Sequence, residues 1–132
     1  MLFDDEKDYI MRMIKEMVRV LITLALGKKY VQVELPQENK YGVSGSKLSK
    51  WKELIDSGKI NEAENMLLEK IDYSNQEDIA EAIFFYEYVS EKGSDFLENC
   101  NYSEEEILDG LKQLAVQTGC GNVISMLEQE EL

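Results

Sequence analysis

The sequence predicts an all-α fold, a helical bundle of stacked αα-hairpins led by a long N-terminal helix, and three observations carry that expectation. One proline, Pro36, and eight glycines in 132 residues leave too few turn formers for a sandwich of many short strands. Apolar residues recur at helical spacing along most of the chain. The stretches so marked open on acids or capping residues and close on glycine, at Gly27, Gly58, Gly93 and Gly119.

The first element spans residues 4–27. Asp4, Asp5, Glu6 and Asp8 suit the positive end of a helix dipole, and Gly27 followed by Lys28 and Lys29 suits the other. Between them Ile10, Ile14, Met17, Leu21 and Leu24 form one apolar stripe, and Met11, Val18, Ile22 and Ala25 form a second beside it. Two stripes need two sets of neighbours, supplied by a bundle around the helix or by a second chain. At about 1.5 Å per residue the segment is roughly 35 Å long, about the diameter of a domain this size, so part of its apolar surface is expected to be left for a partner. Met11, Ile14, Val18, Leu21, Ile22 and Ala25 are the expected interaction residues. A homodimer is the expected assembly, with an unidentified protein partner left open.

Residues 28–46 read as an extended linker. Val31, Val33 and Leu35 alternate with polar residues until Pro36, a strand-like pattern that suits either a connector lying on the bundle or an edge pairing with a second chain. Residues 47–132 read as helical hairpins within the same single domain, 1–132. Leu48, Trp51, Leu54 and Ile55 share a face that stops at Gly58, and Asn61-Glu62-Ala63-Glu64 has N-cap spacing for a second helix with Ala63, Met66, Leu67 and Ile71 inward. Ser74-Asn75-Gln76-Glu77 reads as a capping box opening a helix through Lys92 that carries Ile79, Ile83, Phe84, Tyr86 and Val89. A short turn bearing Phe96 and Leu97 follows. Ser103-Glu104-Glu105-Glu106 then caps a helix bearing Ile107, Leu108, Leu111, Leu114 and Ala115, and GNVISMLEQEEL makes a weaker last helix with Val123, Ile124 and Leu127 inward.

The stretch LSKWKELIDSGKINEAENMLLEKI resembles a tetratricopeptide-type hairpin, with Trp51 and Leu54 on the first helix, Gly58 at the turn, and Ala63 and Leu67 on the second. DYIMRMIKEMVRVLITLALGK, joined to LIDSGKINEAENMLLEKID and to YSEEEILDGLKQLA, is similar over nearly the whole chain to a family of small uncharacterised bacterial proteins filed as a domain of unknown function. That resemblance implies an architecture and an intracellular setting, and it transfers no catalytic residue.

Charge is unevenly placed. Residues 1–58 carry ten Lys/Arg against nine Asp/Glu, net +1, while residues 59–132 carry four against eighteen, net −14, together the chain's −13. An acidic half repels phosphate, which excludes nucleic acid as a partner. It suits either solvated helix faces or an acidic surface for a basic partner. The opening MLFDDEKD lacks the basic region of a secretory signal, and the longest uncharged apolar run, residues 20–26, is far below the ~20 residues of a membrane span. A cytoplasmic setting is therefore expected, with Cys100 and Cys120 as free thiols.

The absence of histidine excludes Ser-His and Cys-His nucleophile pairs and histidine-bearing metal sites, and two cysteines cannot supply four soft ligands. Tyr41 to Lys47 departs from the Walker pattern, with Ser46 before the lysine and Leu48 after it, and reads as a linker. Asp4-Asp5-Glu6-Asp8 lacks the alternating ligands of a calcium loop. Tyr73, Tyr86, Tyr88 and Tyr102 with Phe84 and Phe85 either line a groove or fill the core. No catalytic, cofactor-binding or metal-binding residue is assigned, no cofactor is expected, and the chain is not expected to be an enzyme. The leading reading is a non-enzymatic protein–protein interaction or self-assembly module using the N-terminal helix. The alternatives are a peripheral membrane protein, with Arg12, Lys15, Arg19, Lys28 and Lys29 beside an interfacial apolar face, and an enzyme using carboxylates or Lys47.

Overall fold

The structure is a computed structural model that describes residues 2–27, 45–122 and 125–126, the side chains of residues 2–7 and 26 excepted. The described residues form six helices: α1 (Leu2–Leu26), α2 (Gly45–Asp56), α3 (Ile60–Lys70), α4 (Gln76–Ser90), α5 (Ser94–Asn99) and α6 (Glu104–Gln117). No strand occurs among them. The strand-like segment at 31–35 falls outside the described residues, as do most of the linker 28–46 and most of the last expected helix.

The fold is organised around α4. Its sequence is apolar on every side, which a helix tolerates only when neighbours surround it. Ile79, Ala80, Ala82, Ile83, Phe84, Phe85, Tyr86 and Val89 are all buried. Helices α1, α2 and α6 pack against it, α6 also packs on α1, and α3 packs on α2.

Helix α1 lies against α4 and α6, and these two supply both sets of neighbours that its apolar stripes require. Met13, Ile14, Met17, Val18, Leu21 and Ile22 are buried in one core cluster. At about 1.5–3 kcal/mol per side chain, that burial contributes on the order of 10 kcal/mol gross, before ordering costs. Leu24, expected on the first stripe, is half exposed, and Met13 takes its share of the seam instead.

The helix ends follow local chemistry. Gly58 has φ +86°, and its N–H donates to the Ile55 carbonyl at 2.9 Å while that of Lys59 donates to Leu54 at 3.0 Å, the paired bonds of a Schellman stop. The same pattern ends α6 at Gly119. Asn101 adopts φ +56° in an equivalent position after α5, a conformation that asparagine tolerates better than most residues. Ser103 caps α6 as expected, accepting from the Glu106 N–H at 3.3 Å. The cap of α4 is Asn75 rather than Ser74: Asn75 Oδ1 accepts from the Asp78 N–H at 3.1 Å, while Ser74 is held by Asp72. Asn61 caps nothing, because α3 already starts at Ile60, and its amide donates to the carbonyls of Cys100 and Asn101.

Candidate functional site

The residues expected to meet a partner are largely consumed by the chain's own core. Ile14, Leu21 and Ile22 are 0% exposed and Val18 1%, while Met11 and Ala25 are half-buried. The apolar face that both self-association through α1 and insertion into a membrane surface require therefore faces inward. Helix α1 turns Asp8, Arg12, Lys15, Arg19, Thr23 and Leu24 outward. The reason is α4, whose all-round apolar surface has room for a long helix in addition to α2 and α6.

A concave surface lies elsewhere, between α3, α4 and α6. Residues one helical turn apart build it from each wall: Glu64 and Leu68 from α3, Ala82 and Tyr86 from α4, and Glu106, Asp109, Gly110, Gln113 and Leu114 from α6. Tyr73, from the loop before α4, completes a cleft of about 300 Å³. Three of these side chains are carboxylates, and no lysine or arginine is among the described residues that line it. The carboxylates do not converge: among the described residues no three His, Cys, Asp or Glu side chains are grouped as a metal ion requires.

Its floor is held in place by packing. Tyr86 is buried, its ring lies against the α6 backbone at Gly110, and a Cβ at that position would overlap the ring. Glycine inside a helix costs about 1 kcal/mol relative to alanine, and here it makes room for the tyrosine. The Tyr86 hydroxyl donates to Glu64 Oε2 at 2.6 Å. Burial, then the Glu64 carboxylate, push the Tyr86 phenol far above its ordinary range, so it stays a proton donor at every physiological pH. Beside Glu64 lies Tyr102, also buried, its hydroxyl enclosed and without a hydrogen-bond partner of good geometry among the described residues. Burial and the nearby Glu64 charge raise its phenol too.

Sequence reading missed Glu64, Asp109 and Gly110 as site residues. A signal existed for one of them, since Gly110 interrupts EEEILDGLKQLA, where a helix has no local need of it. The tyrosines divide: Tyr73 and Tyr86 line the cleft, Tyr102 lies behind it, and Tyr88 lies apart, donating to Asp56 at 2.8 Å. Lys47 pairs with Glu77 at 2.6 Å. Cys100 and Cys120 are free thiols. No helix among the described residues is long and apolar enough to cross a membrane.

Fold and cleft together define an all-helical protein with a preformed acidic recess. The chain belongs to DUF6483, a family of unknown function whose model matches residues 4–119. Neither a curated protein nor a solved structure matches it.

Proposed function

We propose that the protein is a non-enzymatic protein–protein interaction module whose cleft between α3, α4 and α6 receives a basic segment of a partner. The observation that carries this reading is the cleft lining: Glu64, Glu106 and Asp109 around Tyr73 and Tyr86, without a described basic residue to neutralise them. A lysine or arginine placed there gains charge-assisted hydrogen bonds from carboxylates, and about 0.5–2 kcal/mol where it lies over a tyrosine face. The chain's net charge of −13 adds long-range steering of a basic partner, which salt weakens.

A second copy of this chain is one source of such a segment, because α1 turns Arg12, Lys15 and Arg19 outward. The proposed dimer therefore forms through charge, with the basic face of one α1 in the acidic cleft of its partner, and not through the buried apolar stripe. The same proposal treats residues 1–132 as one domain, reads α2 and α3 as a tetratricopeptide-like hairpin, and places the protein in the cytoplasm.

Fluorescence anisotropy with a labelled Lys/Arg-rich peptide tests the reading, with a Glu-rich peptide as control. The basic peptide is expected to bind saturably, to weaken with salt, and to lose about tenfold or more in affinity on Glu64→Gln combined with Asp109→Asn. Light scattering is expected to give a dimer at low salt that dissociates at high salt. A protein indifferent to the basic peptide and to ionic strength would sink the proposal.

A further inference from the structure

A second pocket of about 250 Å³ lies between α2, α3 and α4. Its floor is Trp51, Met66, Leu67 and Ile71, and Trp51 is held on two sides: its ring stands edge-on to Phe85 at 5.8 Å, and its indole N–H donates to Glu81 Oε2. The floor is thus apolar, with Trp51 fixed in it.

The rim carries Lys47, Lys50 and Lys70 against Asp78 and Glu81. Counting charges alone gives little preference, but the partners of each group break the tie. Lys47 is committed to Glu77, Glu81 to the indole of Trp51, and Asp78 Oδ2 accepts from the Asp72 N–H at 2.9 Å. Lys50 and Lys70 make no ion pair among the described residues; the Lys50 ammonium lies 5.5 Å from the Trp51 ring centre. The acids of this rim are turned to donors within the protein, and two ammoniums are left to meet a ligand.

We propose that this pocket binds a small amphipathic anion, its carboxylate paired with Lys50 and Lys70 and its apolar body laid on Trp51, Met66 and Leu67. The volume, just below the roughly 300–1,000 Å³ of ligand pockets, matches a short acyl chain or a single ring. This site is independent of the acidic cleft and of any protein partner there.

Trp51 is the chain's one tryptophan, so its emission reports occupancy directly. Three probes with the same apolar body and different heads, octanoate, octan-1-ol and octylammonium, are titrated below their micellar concentrations, with calorimetry as a second readout. Octanoate is expected to bind saturably, and the other two at least about tenfold more weakly. Replacing both lysines, Lys50→Gln with Lys70→Gln, is expected to bring octanoate down to the level of octanol. Both residues are exposed, so the fold is not at stake. The Glu64→Gln, Asp109→Asn variant should leave octanoate binding unchanged, which separates this site from the acidic cleft. Equal affinity for the three heads, an unaffected double-lysine variant, or no saturable octanoate binding by either readout would overturn the assignment.

Discussion

The two clefts share two of their three walls and yet differ in charge. Helices α3 and α4 contribute to both: Met66, Leu67 and Glu81 face the lysine-rimmed pocket, while Glu64, Leu68 and Tyr86 face the acidic one. What differs most is the third wall, which is α2 with Lys47 and Lys50 in one case and α6 with Glu106 and Asp109 in the other. The contrast follows the sequence, whose first 58 residues are nearly neutral and whose remainder is strongly acidic. Two helices thus contribute to both recesses; α2 and α6 add the charges that differ most, while α3 itself supplies Lys70 to one recess and Glu64 to the other.

Phe85 joins the two recesses physically, since its ring meets Trp51 on one side and Tyr86, at 5.3 Å, on the other. Phe85→Ala is therefore expected to have the largest effect, a loss of about 3–5 kcal/mol in urea unfolding together with a shift in Trp51 emission. If stability fell while Trp51 emission and binding at both sites stayed as they were, the two recesses would not share this support. Gly110→Ala comes next and touches one side only. Alanine normally improves a helix by about 1 kcal/mol, but here its Cβ meets a buried tyrosine ring, and a net loss of about 1–3 kcal/mol is expected with Trp51 emission unchanged. A gain in stability would mean that Tyr86 is not seated against α6. The smallest effect belongs to Tyr102→Phe, which removes an enclosed hydroxyl that has no hydrogen-bond partner of good geometry among the described residues. The variant is expected to match the parent or to exceed it by up to about 1 kcal/mol in a thermal melt, and a clear loss would show that the hydroxyl is bonded.

Much of the architecture was legible residue by residue. Gly58 and Gly119 end helices because each takes a positive φ and the stop is closed by bonds to residues immediately before it. Ser103 was readable as a cap for the same reason, its partner Glu106 lying three positions along the chain. The α4 cap was misplaced by one residue, because Ser74 and Asn75 both have capping side chains and a contact with Asp72 takes the serine. The six α1 residues expected to face a partner show where local reading ends. Periodicity identifies two apolar stripes, and nothing within α1 states who covers them.

By itself, then, the sequence determined that the chain is helical, where most of its helices stop, and that its charge is divided between a nearly neutral first part and an acidic second part. Those properties depend on neighbours a few positions apart. Only the tertiary structure decided that α4 and α6 cover α1, that Tyr86 rests on Gly110, and that α3 and α4 are flanked by lysines on one side and carboxylates on the other. Each of these brings together residues tens of positions apart, and helical periodicity says which face of a helix is apolar without saying which other helix will meet it.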